Sequence, residues 1–225
     1  MTKKHPTDWY KKYLAEMIGT FFFLLGGFGA AVAASMGIVQ NPDLVVPLAF
    51  GGSLMVTIFA LGHISGGHFN PAVTIGLAAG GHFPAKRVMP YIISQTFAAV
   101  MAALLLFLLF GAEAGYAGPV TVPNYDMITV GIFEALGTFL LVFVIASIAT
   151  DKRTNGIPNG LAIGGTLFTI ALSRGWIGGG SFNPARTLGT AITHYEFTGI
   201  GVYMIAPIVG GILAVLAYNL VSSED

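Results

Sequence analysis

The sequence contains no cysteine. Disulfide frameworks, thiol nucleophiles and Cys-ligated metals are therefore excluded. Charge is also scarce. Only 9% of the 225 residues are Asp, Glu, Lys or Arg, against about 25% in an ordinary soluble domain. Ten basic residues balance ten acidic ones, and the scattered basic residues argue against a nucleic-acid-binding surface. The run Gly178-Gly179-Gly180 is followed by no lysine, so it is not a phosphate-binding loop. No metal-ligand cluster and no nucleophile, base and acid in a usable constellation stand out, so nothing points to catalysis. What the chain has instead is apolar surface, at 55% hydrophobic residues. That composition belongs to a polytopic membrane protein.

Long apolar stretches lie at roughly 12–36, 44–62, 86–110, 127–149, 157–174 and 199–220, each long enough to cross a bilayer core of about 30 Å as a helix or close to it. The leading MTKKHPTDWYKKYLAE is basic and has no small-residue cleavage site, which reads as a cytoplasmic start and a retained first helix. Lys3, Lys4, Lys11, Lys12, Lys86, Arg87, Lys152 and Arg153 fall on one side of a six-span chain. By the positive-inside rule both termini are then cytoplasmic.

Two stretches match without a gap: HISGGHFNPAVTIG from His63 to Gly76, and WIGGGSFNPARTLG from Trp176 to Gly189. Further segments repeat as well, 15–25 with 133–143 and 90–100 with 202–212, pairing Glu16 with Glu134 and Thr20 with Thr138. The boundary falls in the loop at 117–126, with Gly118, Pro119, Pro123 and Asn124. The chain therefore reads as one domain of two repeats, about 10–115 and 127–220. Three full spans per repeat is an odd number, so the second repeat inserts upside down.

Asn-Pro is a helix start. The Asn side-chain oxygen accepts a backbone N–H of the first turn, and Pro loses nothing at the first helical position. Asn70-Pro71-Ala72 and Asn183-Pro184-Ala185 thus predict two half-helices of about ten residues, or ~15 Å. Their positive dipole ends would meet near the midplane. Each Asn NH2 would then be left to donate into the space between them. The residue after the triplet is Val73 in one copy and Arg186 in the other. An arginine at membrane depth marks a pathway, or else is held by backbone carbonyls for packing.

These paired triplets, Arg186 and the Glu16/Glu134 repeat resemble the aquaporin, or major intrinsic protein, family across nearly the whole chain. The short loops suggest its bacterial and archaeal members. The resemblance implies an all-α membrane fold, a right-handed bundle of six spanning helices and two re-entrant half-helices. It implies a passive channel for water and some small uncharged solutes that excludes protons and ions, in a plasma (inner) membrane, with a pore in each subunit of a homotetramer. No cofactor is implied. It places Asn70 and Asn183 as donors to one permeating molecule, and the carbonyls of Gly66, Gly67, His68 and Phe69 and of Gly179, Gly180, Ser181 and Phe182 as a ladder of acceptors. Its four-residue outer filter maps to Phe50, Ala171, Gly180 and Arg186. Strict water channels usually have His where this chain has Ala171, so the filter should be wider and less polar unless Arg174 or Trp176 refills it. Thr187 and Ala191 match water channels rather than glycerol facilitators, whereas the Tyr203-Met204 pair is mixed. Glu16 and Glu134 read either as proton-relay carboxylates or, as their repeat symmetry favours, as supports for the pore loops. His63 and His68 read as metal or pH-sensing groups or as loop hydrogen-bonding groups, and His82 as a gating candidate. The alternatives in function are a glycerol or small-polyol facilitator, a secondary transporter, which also uses inverted repeats and broken helices, and a structural membrane protein with a closed pore.

Overall fold

The computed structural model describes residues 8–111, 125–150, 154 and 159–222. Eight α-helices occur among them, in the order long, long, short, long, repeated once. The long ones are α1 (Trp9–Ser35), α2 (Pro42–Ser65), α4 (Val88–Phe110), α5 (Met127–Thr150), α6 (Asn159–Gly178) and α8 (Ile200–Val221). Each is long and apolar enough to cross a membrane, α4 together with the 3-10 turn Ala85–Arg87 that precedes it. The short ones are α3 (Pro71–Ala79), of 9 residues, and α7 (Pro184–His194), of 11. Both open at the Pro of an Asn-Pro pair, as the capping chemistry predicts.

The apolar stretches fall on the six long helices, and several helices outrun them. α1 starts at Trp9, ahead of Lys11 and Lys12. Lys11 pairs with Asp8 at 2.6 Å and Lys12 stacks on the Trp9 ring at 4.8 Å. The backbone stays helical while these side chains reach the interface, which a hydropathy reading takes for the end of the span. α6 likewise continues through Arg174 and Trp176. The inter-repeat loop with Gly118, Pro119, Pro123 and Asn124, and the basic residues Lys3, Lys4, Lys152 and Arg153, lie outside the described residues.

The packing follows the repeat. α1 packs on α2 and α4, and their counterparts match: α5 packs on α6 and α8. Each half-helix packs on the last span of the other repeat, α3 on α8 and α7 on α4, while α2 crosses α6. Glycine sets the crossings. A Cβ on Gly51 would lie 2.6 Å from the Gly164 carbonyl oxygen, and one on Gly164 would lie 2.5 Å from that of Gly51. A Cβ on Gly76 would sit 2.7 Å from the Gly211 oxygen, and one on Gly189 2.7 Å from the Ala99 oxygen. Helices approach this closely only where no side chain intervenes. The outward faces carry Phe22, Val56, Phe59, Ile93, Leu136 and Leu213, all more than half exposed. Apolar surface on this scale needs lipid against it.

Candidate functional site: a cavity between two half-helix ends

Asn70 and Asn183 hold extended backbone just ahead of α3 and α7. Asn70 Oδ1 accepts the Ala72 N–H at 2.8 Å, and Asn183 Oδ1 accepts those of Ala185 at 2.9 Å and Arg186 at 3.3 Å. Both are the expected N-caps. Their NH2 groups are not left wholly to the space between them. Asn70 Nδ2 donates to the Phe182 carbonyl at 2.7 Å and Asn183 Nδ2 to that of Phe69 at 3.0 Å. Each cap thereby ties its own half-helix to the opposite loop. An amide carries two N–H donors, so one per Asn is available to the cavity that both side chains line.

The loops ahead of the caps share one unusual backbone. Gly66, Gly67 and Phe69 have positive φ, as do Gly179, Gly180 and Phe182. For a bulky residue such as Phe, this conformation costs on the order of 1–3 kcal/mol. Two features hold it. The Phe69 ring lies over Gly19 and the Phe182 ring over Gly137, where a Cβ would collide with it. Buried carboxylates take the loop N–H groups. Glu16 Oε1 accepts from His68 N at 3.0 Å and Ser65 Oγ at 2.7 Å, while Oε2 accepts from Phe69 N and Gln95 Nε2, both at 2.8 Å. Glu134 Oε1 accepts from Ser181 N at 2.7 Å and Oε2 from Phe182 N at 2.6 Å. Both carboxylates are thus surrounded by donors, most of them from the loops, an arrangement suited to bracing that backbone.

The scaffold roles of Tyr91 and Tyr203 were not read from the sequence. Tyr91 donates to the Ser65 carbonyl at 2.7 Å and Tyr203 to that of Gly178 at 2.8 Å. The His68 ring meets Thr74 Oγ1 at 3.1 Å, and Ser181 Oγ meets Thr187 Oγ1 at 2.6 Å. The aligned segments 90–100 and 202–212 already paired the two tyrosines. That shared position was the signal that could have found them. His63 is exposed, apart from this network, and His82 is exposed with Nε2 3.0 Å from Asn219 Oδ1.

A cavity of about 460 Å³ runs between the repeats, with Ala34, Pro42 and Asp43 at one end and Gly67, His68 and Val73 at the other. Phe50, Ala171, Gly180 and Arg186 all line it. The Arg186 guanidinium lies over the Phe50 ring, 4.5 Å from its centroid. Its Nη1 donates to the Gly179 carbonyl at 3.1 Å and also to that of Gly180. The ring is in turn held edge-on by Phe23 and Phe28, at 6.2 and 6.1 Å. Gly180 has φ +53, and a Cβ there would come 2.9 Å from Gly175 Cα, so glycine is fixed by backbone as well as by width. Trp176 belongs to the cavity wall but is 59% exposed, its indole N–H turned back to the Ser173 carbonyl at 3.0 Å. Arg174 is not on that wall.

The residues expected to supply a carbonyl ladder fall into two sets around this cavity. Gly67, His68, Gly179, Gly180, Ser181 and Phe182 line the cavity, whereas Gly66 and Phe69 are not part of its wall. The Phe182, Gly179 and Gly180 oxygens also already accept protein hydrogen bonds, so a passing molecule meets their second lone pairs.

The model of the major intrinsic protein family matches residues 3–218. The chain belongs to that family. Among its relatives, aquaporin NIP1-1 of Zea mays is 39% identical over 213 residues, covering 94% of this chain and 74% of the relative. Nodulin-26 of Glycine max is 39% identical over 218 residues, covering 96% and 79%. Among solved structures, the aquaglyceroporin from Plasmodium falciparum shares the fold at a TM-score of 0.87 and 22% identity, over 95% of this chain and 97% of that one. The relatives found correct one expectation. They are plant NIP-type proteins, so the suggested nearness to short-loop bacterial or archaeal members is unsupported. Loop length was a poor guide, because loops change length without disturbing the spans they join.

Proposed function

We propose that this major intrinsic protein is a passive transmembrane channel for water and some small uncharged solutes. The observation that carries the reading is the cavity running past both Asn caps and Arg186. Non-helical backbone at membrane depth is tolerated where it lines such a cavity. Water passes by exchanging its hydrogen bonds for loop carbonyls and the remaining Asn N–H groups. Two half-helix N-termini and the Arg186 guanidinium set a positive potential that repels cations and hydronium.

Phe50, Ala171, Gly180 and Arg186 form the outer filter in this reading, with Ala171 and Gly180 making it wide enough for small neutral solutes. A glycerol or small-polyol facilitator is the second reading, favoured by the same two small residues. Thr187 and Ala191, which match water channels rather than glycerol facilitators, speak against it. A secondary transporter is disfavoured, since Glu16 and Glu134 are occupied by loop donors and offer no coupling-ion site. Placement in a plasma membrane with both termini cytoplasmic, and assembly as a homotetramer, complete the proposal. Stopped-flow light scattering of proteoliposomes tests it, comparing shrinkage by an impermeant osmolyte with re-swelling in glycerol. Fast water efflux with measurable glycerol entry is expected. Glycerol entry no faster than in empty vesicles would make the channel water-selective. Water efflux at the empty-vesicle rate would refute the channel reading.

A further inference from the structure

Two packed helices begin together at one membrane surface, α1 at Trp9 and, at Ala85, the 3-10 turn that leads into α4. Neither has an acidic residue in its first turn to offset its positive dipole end. Both carry cations there instead. The Lys12 ammonium lies 4.8 Å from the centroid of the Trp9 ring, and the Arg87 guanidinium lies 4.3 Å from the same centroid. The two charges are therefore no more than about 9 Å apart. Asp8, just ahead of α1, is already paired with Lys11. That is the one ion pair among the described residues, so neither Lys12 nor Arg87 is matched by a carboxylate. A guanidinium has five N–H donors. One of them, on Arg87 Nη1, goes to the Tyr13 hydroxyl at 2.7 Å, and the buried Nε meets no acceptor. The ring between the cations is held in place. Trp9 lies 6.2 Å from Tyr13 and meets Phe83 edge-on at 6.3 Å, and the ring cluster continues through Tyr91 to His68.

We propose that Lys12, Arg87 and Trp9 form a binding site for the phosphate of an anionic phospholipid of the surrounding bilayer. The inference goes beyond the channel reading and needs only that α1 and α4 cross a membrane. The Trp9 face attracts both cations without neutralising them. Two like charges on one ring repel each other and add to two positive helix ends, and an anion relieves both. A phosphate diester suits the task, because its oxygens accept from an ammonium and a guanidinium at once, the latter in a bidentate fork. The bilayer presents that group where the spans meet the headgroups, the level at which an amphipathic Trp ring settles. A zwitterionic headgroup brings a choline cation along with its phosphate, which the same pair repels. The site therefore selects lipids of net negative charge.

The chain has two tryptophans, Trp9 and Trp176, so Trp176→Phe leaves Trp9 as a fluorescent reporter within the site. The protein is reconstituted in phosphatidylcholine bilayers doped with a small fraction of lipid brominated on its acyl chains. Brominated phosphatidylglycerol should quench Trp9 at lower doping than brominated phosphatidylcholine. A cation near the membrane surface is worth about fivefold in attracting an anionic lipid. Lys12→Gln and Arg87→Gln should therefore each lower the preference for phosphatidylglycerol about fivefold. Lys86→Gln removes the same charge from an exposed neighbour and should lower the preference less, because solvent and salt screen it. Equal quenching by the two brominated lipids overturns the proposal. So does a preference left unchanged by either Lys12→Gln or Arg87→Gln. A preference that Lys86→Gln lowers as far as they do means diffuse surface charge, and overturns it too. Should Arg87→Gln not fold once Tyr13 loses its partner, Lys12→Gln against Lys86→Gln decides alone. Wild-type vesicles that pass no water refute the channel reading and leave this site standing.

Discussion

Replacing Glu134 by Ala strips two buried N–H groups, those of Ser181 and Phe182, of acceptors now at 2.7 and 2.6 Å. A buried donor left unsatisfied costs about 1–3 kcal/mol, so the pair costs about 2–6 kcal/mol. That is a large share of a native stability of about 5–15 kcal/mol. Phe182 adds to the effect. Its φ of +51 is a conformation an aromatic residue resists, and without the carboxylate the loop relaxes toward ordinary backbone. The Phe182 carbonyl that receives Asn70 and the Gly180 carbonyl that receives Arg186 would shift with it. The expected result is a lower melting temperature in detergent and a lower water permeability per folded protein. Glu134→Gln should fall between, since its amide keeps one acceptor oxygen. Leu136→Ala, on the lipid face at 51% exposure, should change neither. If Glu134→Ala is recovered at normal yield, with wild-type melting and water flux, the scaffold argument is wrong.

Tyr91→Phe and Tyr203→Phe each delete one buried hydroxyl donor, which should cost about 1 kcal/mol apiece in thermal unfolding. Gly76→Ala and Gly189→Ala force a Cβ to 2.7 Å from a backbone oxygen and should cost about 1–3 kcal/mol as overpacking. Gly52→Ala and Gly165→Ala, which open onto empty space, should be tolerated in the same folded-yield assay. Arg186→Val copies its repeat counterpart Val73 into the outer filter. It should raise proton leak, read with a pH dye inside proteoliposomes, and an unchanged leak would show that the half-helix dipoles suffice without the guanidinium.

The half-helices were legible because Asn-Pro settles a helix start locally, through one side-chain acceptor and one missing N–H. The spans were legible from apolar length, apart from ends such as Trp9–Lys12 and Arg174–Trp176, where polar tips hide continuing helix. The symmetric Glu16 and Glu134 could be paired by alignment, but which N–H groups they hold depends on how α1 and α5 dock against the loops. Phe50 was marked by family resemblance alone and Arg186 also by its charge at membrane depth, while their cation–π contact joins residues far apart in the chain. The Asn NH2 groups were misjudged for the same reason. Nothing local to either triplet reveals that the opposite loop presents a carbonyl at 2.7–3.0 Å.

The central claim is that water crosses between the two Asn caps. Osmotic water permeability of proteoliposomes containing wild type, Asn70→Asp and Ala171→Trp tests it most directly. Wild type should shrink much faster than empty vesicles and with weak temperature dependence. Ala171→Trp, which fills the cavity from the α6 side near Phe50 and Arg186, should return efflux to the empty-vesicle rate while the protein stays folded. Asn70→Asp places a carboxylate against the Phe182 carbonyl that the amide now bonds and should reduce efflux. Wild-type permeability equal to that of empty vesicles, or full permeability in folded Ala171→Trp, would contradict the account.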